Sequence, residues 1–334
     1  MSGYRNHNHP QTKNKKVALL TRAANGVGKE IAKEFAMAGY SVMLNDVTER
    51  DLEQVARETL SSLTSSTVNG DPTDYVSYCL GDISREEAST SLIEETIKRF
   101  GRIDVLINNA IISQQSIASQ SYEMSATAPS VSSDVADYQV TNKFSSFFTI
   151  EEYGIADTTI KGIYFCISEL VKKLLIDDNL NPDRTTEKYG DWKNNIQIIK
   201  KVDCSIINIS SCYNSIPSSL ADAYTFSQSG IDPFTSSRSN IKSLTESIAL
   251  QLADRGIRVN AIAPGVVYTD ITDEVMKDKE MKDQVEKTIP FQRIGQAHEI
   301  AQVALFLASE ASSYVTGTMI YSDGGLSLRD SKSH

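Results

Sequence analysis

Seven short apolar runs punctuate the chain, at residues 16–21 (KVALLT), 40–46 (YSVMLND), 74–82 (DYVSYCLGD), 103–110 (IDVLINNA), 204–211 (CSIINISS), 257–265 (IRVNAIAPG) and 317–325 (GTMIYSDGG). Each has strand length and is rich in β-branched residues, so each predicts a strand. Between them stand stretches with helical spacing of apolar positions, among them GKEIAKEFAMAG (28–39), SLIEETIKRFG (91–101) and SLTESIALQLADRG (243–256). Strands alternating with amphipathic helices predict an α/β protein, a doubly wound parallel sheet of about seven strands with helices on both faces. Ligands are expected at the carboxyl ends of the strands.

The pattern breaks twice. Residues 113–134 (SQQSIASQSYEMSATAPSVSSD) carry neither period and predict a long loop, and the polar stretch 177–195 reads as solvated decoration between a helix and the fifth apolar run. The expected organisation is a flexible N-terminal arm over 1–14, one dinucleotide-binding domain over 15–328 with inserts near 112–155, 177–200 and 212–233, and a C-terminal tail over 329–334. With 40% hydrophobic and 23% charged residues and only 8 prolines among 334, the composition is that of a globular protein. A formal net charge of −10 argues against nucleic acid or an anionic membrane as partner. The polar, basic first residues lack the apolar segment of a secretory signal, and no run approaches the length of a membrane span, which predicts a cytoplasmic protein. Cys79, Cys166, Cys204 and Cys212 have no CxxC spacing and are expected as buried free thiols; with few histidines, mostly in the tails, no structural metal is expected.

Chemistry enters after the first strand, where Thr21-Arg22-Ala23-Ala24-Asn25-Gly26-Val27-Gly28 opens a helix. Glycines at such a turn let backbone amides approach a pyrophosphate, and the helix N-terminus supplies free N–H groups and a favourable dipole. Arg22 occupies a place where glycine would be unconstrained and is expected in a right-handed or extended conformation, its charge meeting a phosphate. Asp46 ends the second strand 18 residues beyond Gly28, near the separation expected for a carboxylate on the adenosine ribose diol. A carboxylate there favours NAD and repels the 2′-phosphate of NADP.

Further motifs follow in order: Asp82 after the third run, Asn108-Asn109-Ala110 after the fourth, INISS at 207–211, NAIAPG at 260–265, and VTG at 315–317 before YSDGG. Over residues 15–328 this set resembles the short-chain dehydrogenase/reductase family, a Rossmann-type family, and its C-terminal part resembles the glucose dehydrogenase-like and 3-oxoacyl reductase-like members. The resemblance implies that Asp82 contacts the adenine, Asn109 the ribose region and central sheet, and Thr269 the nicotinamide carboxamide. Ile83, Ala110, Pro264, Gly265 and Val267 complete the implied cofactor set.

The family's hydride transfer also implies a serine holding the reacting oxygen and a tyrosine followed four residues on by a lysine. Ser211 fits the serine. Two placements compete for the pair. Tyr224 stands 13 residues after Ser211, the family's separation, but Gln228 follows at i+4, and an uncharged amide cannot depress a phenol pKa. The ungapped match of the following helix instead points to Phe234 and Arg238, with Asp232-Pro233 as N-cap and first helical residue and about ten extra residues in the preceding loop. An uninterrupted helix fixes side-chain direction more tightly than loop length does, which favours this second register. Phenylalanine cannot move a proton, whereas Arg238 could still hold a ribose or phosphate. Ile111 stands where glycine is usual, and Thr159 occupies the place of an asparagine that supports a proton-relay water.

The expected activity is hydride transfer between NAD(H), with NADP disfavoured, and a small-molecule secondary alcohol or ketone, in a dimeric or tetrameric homo-oligomer. Ser211 would orient the oxygen and Tyr224 would be the best available acid/base. The alternative is a catalytically impaired NAD(H)-binding relative that senses the cofactor or partners an active paralogue.

Overall fold

The computed structural model describes residues 15–24, 26–63, 72–109, 158–176, 185–190, 196–212, 233–269 and 277–329. The predicted arm, the loop at 113–134, Asn25, Ala110, Ile111 and Tyr224 lie outside these residues.

All seven apolar runs form strands of one sheet: β1 (Val17–Thr21), β2 (Ser41–Asp46), β3 (Val76–Leu80), β4 (Val105–Asn108), β7 (Cys204–Ile209), β8 (Ile257–Pro264) and β11 (Met319–Ser322). Their order is β11-β8-β7-β4-β1-β2-β3, and every pairing is parallel. The reversal of strand order falls between β1 and β4, so their carboxyl ends border a crevice at the switch point. The inner strands β1, β2, β4 and β7 are buried throughout, and β8 at every residue but Arg258, because helices cover both faces, which is why they read as apolar runs. The two edge strands, β3 and β11, are partly exposed.

The helices are α1 (Gly26–Met37), α2 (Glu49–Ser61), α3 (Glu86–Phe100), α4 (Thr158–Ile176), α5 (Pro233–Leu252), α6 (Lys279–Thr288) and α7 (Ala297–Ala308). One core packs α1, α2 and α7 on the sheet through Ile31, Phe35, Leu52, Ile300 and Leu307. The other packs α3, α4 and α5 through Leu92, Ile93, Leu170, Ile241 and Leu252. Burying side chains of this size contributes roughly 1.5–3 kcal/mol each, so both layers are held mainly by apolar burial.

Within and just beyond the insert expected near 177–200 lie β5 (Thr185–Gly190) and β6 (Ile196–Lys201), an antiparallel pair in register from Thr185↔Lys201 to Gly190↔Ile196 that the sequence pattern does not predict. Two short β-prone segments can pair with each other outside the main sheet without the burial that makes the parallel strands conspicuous. β6 leads into β7 at its amino end and lies against residues 253–255. The hairpin therefore stands at the amino ends of the strands, opposite the crevice. The short parallel pair β9 (Val267–Tyr268) and β10 (Gly295–Gln296) follows β8 at the crevice edge.

Cys166, Cys204 and Cys212 are buried free thiols, and burial pushes the Cys166 thiol up to about 12. Cys79, on the edge strand β3, is only half-buried, a correction to the expectation of four buried thiols. Among the described residues no helix is long and apolar enough to cross a membrane, and no cluster of His, Cys, Asp or Glu could hold a metal ion.

Candidate cofactor and catalytic site

The turn after β1 is held to its neighbours by four hydrogen bonds. Thr21 is fully buried at the end of β1, and its hydroxyl accepts the Asn109 N–H at 3.2 Å. Asn109 Nδ2 donates to the Arg22 carbonyl at 3.0 Å. The next two amides donate to the end of β2, Ala23 N–H to the Asn45 carbonyl at 2.9 Å and Ala24 N–H to Asp46 Oδ2 at 3.0 Å. Arg22 is thereby driven to φ 48°, the left-handed region, rather than the right-handed or extended backbone expected for it. A non-glycine residue there costs roughly 1–2 kcal/mol, and the surrounding bonds sustain it.

Helix α1 begins at Gly26, so the Gly-Val-Gly sequence forms its first turn. Gly26 itself has φ 59°. A Cβ on Gly28 would lie 2.5 Å from the Arg22 carbonyl oxygen and 2.7 Å from Asn109 Nδ2. The first turn therefore closes only around bare backbone, a cradle of the kind a dinucleotide pyrophosphate needs. A Cβ on Gly26 would lie 3.5 Å from Thr269 Cγ2, which places the residue implied for the carboxamide beside the turn.

Asp46 is buried, Oδ2 accepting from Ala24 as above and Oδ1 accepting the Val47 N–H at 2.7 Å. A carboxylate has about four lone-pair sites, so two fixed acceptor directions remain for other donors. The Arg22 guanidinium is half-buried nearby; burial holds its pKa below the usual arginine value, and the Asp46 charge works against that shift. Asn45, not expected as a site residue, ties β2 to the end of β3 and the residue after it by donating to the Cys79 and Gly81 carbonyls, each at 3.0 Å. Asp82 is exposed beyond β3, its Oδ1 accepting the Ser84 N–H at 3.0 Å, and Ile83 packs so closely on α4 that a Cβ at Gly162 would meet its side chain at 3.0 Å.

Across the crevice, a chain of amides joins sheet and helix. Asn108 Nδ2 donates to Asn208 Oδ1 at 2.9 Å, and Asn208 Nδ2 donates to the Thr245 hydroxyl at 3.0 Å. Sequence reasoning misses Thr245, whose one signal is a hydroxyl on the apolar stripe of α5 that buries Ile241, Ile248 and Leu252. Thr245→Val should leave Asn208 Nδ2 unpaired in the core and lower stability by roughly 1–3 kcal/mol. Urea denaturation followed by circular dichroism measures this, and an unchanged midpoint would show that the amide finds another partner.

Ser211 is buried two residues beyond β7. Phe234 and Arg238 fall in the first two turns of α5, whose first residue is Pro233, and Thr159 is the second residue of α4. At 3.6 residues per turn, positions 234 and 238 lie within about 20° of the direction that Thr245 takes from the helix. Pro264 ends β8, and Gly265 donates its N–H to the Ser322 carbonyl at 3.0 Å; a Cβ there would come 2.7 Å from the Asp323 Cα, so β8 and β11 close on each other at this point. Val267 lies in β9.

A doubly wound parallel sheet with a glycine cradle at its switch point defines a Rossmann-type dinucleotide-binding protein. Residues 16–149 match the family model described as short chain dehydrogenase, and residues 193–327 match that described as enoyl-(acyl carrier protein) reductase. Glucose 1-dehydrogenase 2 of Bacillus subtilis is 28% identical over 317 residues, covering 95% of this chain and 96% of its own. The 3-oxoacyl-(acyl-carrier-protein) reductase of Thermotoga maritima is 28% identical over 311 residues, covering 93% and 97%. Among solved structures, a glucose/ribitol dehydrogenase from Brucella melitensis has a TM-score of 0.61 at 22% identity, over 93% of this chain and 96% of that one. ElxO with NADP bound has a TM-score of 0.63 at 25% identity, over 94% and 100%. The chain belongs to the short-chain dehydrogenase/reductase family and is an oxidoreductase of that class. Its relatives are named for dehydrogenase and reductase activities, which lends nothing to the alternative of an impaired cofactor sensor.

Proposed function

We propose that the protein moves a hydride between NAD(H) and a secondary alcohol or ketone. The observation that carries the cofactor choice is Asp46, a carboxylate fixed at the end of β2 by the Ala24 and Val47 amides, with acceptor capacity left for a ribose diol. The nicotinamide, when bound, supplies or accepts the hydride. The chain's own contributions are the turn from Thr21 to Gly28, including Asn25, as phosphate cradle, Asp82, Ile83, Asn109 and Ala110 along the adenosine side, and Pro264, Gly265, Val267 and Thr269 at the nicotinamide end.

Ser211 holds the reacting oxygen, and Tyr224 is the phenol available as proton donor. Phe234 and Arg238 occupy the positions where the family carries its tyrosine and lysine, and Thr159 that of the relay asparagine. The helix stripe shared with Thr245 supports this register, because α5 runs antiparallel to the strands and presents its first turns at their carboxyl ends. Family membership also supports a homo-oligomer.

Cofactor choice tests the reading directly. NADH should bind at least about tenfold more tightly than NADPH, a difference of about 1.4 kcal/mol, and Asp46→Ala should narrow that gap. Titration of intrinsic fluorescence measures both affinities, and equal affinities in the unaltered protein would overturn the assignment. ElxO, with NADP bound, shows that a similar fold accommodates the phosphorylated dinucleotide, so the sheet itself does not decide the preference.

A further inference from the structure

Ile83 is held from two helices at once. The Ser89 hydroxyl, fully buried at the end of the first turn of α3, donates to the Ile83 carbonyl at 3.0 Å. Cys166 of α4, also fully buried, donates its thiol proton to the Ser89 oxygen at 3.5 Å. Burial keeps that thiol protonated, its pKa pushed up to about 12, so the chain runs one way and the single Ser89 proton is left for Ile83. One turn before Cys166, Gly162 brings the backbone of α4 so near that an added Cβ would lie 3.0 Å from Ile83 Cδ1 and Cγ1 and 3.3 Å from its carbonyl oxygen. A glycine inside a helix costs stability relative to alanine, and the close approach to Ile83 is what an alanine would forbid. The neighbouring residues close the same segment: Arg85 N–H donates to the Asp82 carbonyl at 3.1 Å, and Gly81 N–H to the Asp46 carbonyl at 3.0 Å.

We propose that Ser89 and Gly162 are positioning residues for the cofactor, setting through Ile83 the level of the segment after β3 on which the adenosine half of the dinucleotide rests. The inference rests on the reading of Asp82 and Ile83 as lying along the adenosine side. Ser89 is out of reach of any ligand, and it acts through the carbonyl it fixes. A contact residue is only as precise as the groups that hold it, and here a buried hydroxyl and a bare helix backbone hold Ile83 from two directions. The turn after β1 and Thr269 belong to other elements, so a displaced Ile83 is felt at the adenosine and not at the nicotinamide.

The test titrates the full chain calorimetrically with adenosine 5′-monophosphate, reduced nicotinamide mononucleotide and NADH. Ser89→Ala should weaken the monophosphate and NADH about fivefold, the scale of one hydrogen bond, and leave the nicotinamide mononucleotide within about twofold. Gly162→Ala should reproduce that loss, and adding Ile83→Val, which removes Cδ1, should restore the monophosphate to within about twofold of Ile83→Val alone. Equal weakening of all three probes by Ser89→Ala would overturn the proposal by making the effect a general loosening of the strand ends. Ile83→Ala separates the two levels of the reading. If it leaves the affinity for the monophosphate unchanged, Ile83 is no adenosine contact and the proposal falls with it; if it weakens the monophosphate while Ser89→Ala does not, the positioning role alone is overturned.

Discussion

Replacing Phe234 by tyrosine and Arg238 by lysine together is expected to raise the rate of ketone reduction by about 10²-fold or more, the lower range of what a positioned general acid contributes. A phenol and an ammonium four residues apart share one face of α5, so the charge would lower the phenol pKa and bring it nearer neutral pH. Thr245 fixes one face of α5 on the sheet through Asn208, and helix periodicity turns positions 234 and 238 to within about 20° of that direction, which is the register this expectation rests on. The measurement is kcat for NADH-dependent reduction across a ketone panel, with each single substitution as control. Lysine alone should do little, because phenylalanine still has no proton to give. Tyr224→Phe is the opposing experiment: if it abolishes turnover and the double substitution adds nothing, the proton donor is Tyr224 and the spacing from Ser211 is the better guide.

Gly28→Ala is expected to remove measurable cofactor binding, a loss of about 100-fold or more in NADH affinity, equivalent to about 2.7 kcal/mol. The added Cβ would come within 2.5 Å of the Arg22 carbonyl and 2.7 Å of Asn109 Nδ2. The first of these is backbone and the second is engaged in the bond that shapes the turn, so neither can move away without opening the cradle. The same overlap should cost about 1–3 kcal/mol of stability. Gly39→Ala separates clash from backbone strain: Gly39 has φ 94°, but an added methyl would meet nothing within 4 Å, so its substitution should lower stability and leave NADH affinity intact. Full-strength NADH binding by Gly28→Ala would show that the turn is not the phosphate cradle.

The strands and their topology were legible because parallel strands buried on two faces must be apolar throughout, and seven such runs alternate with amphipathic segments. The glycine turn was legible because a close turn between a strand end and a helix start admits only small residues at fixed spacing, and Asp46 because it ends β2 at a set distance from that turn. The hairpin of β5 and β6 was not, because among the described residues its strands pair with each other alone, and β5 is polar while β6 offers only a short mixed run of isoleucines with Gln and Lys. Thr245 was hidden by a helix stripe that predicts apolar residues, its partner Asn208 lying 37 residues away.

Sequence by itself therefore determined the class of fold and the family, since each follows from local pattern or from motifs in order along the chain. Only the tertiary structure decided how Arg22 sits. Its local preference is for right-handed or extended backbone, and a left-handed residue results because four contacts from β2, α1 and the end of β4 act on the turn together. Each is a contact between the turn and a neighbouring element, and their combined strength exceeds the roughly 1–2 kcal/mol that a single residue's backbone preference can oppose.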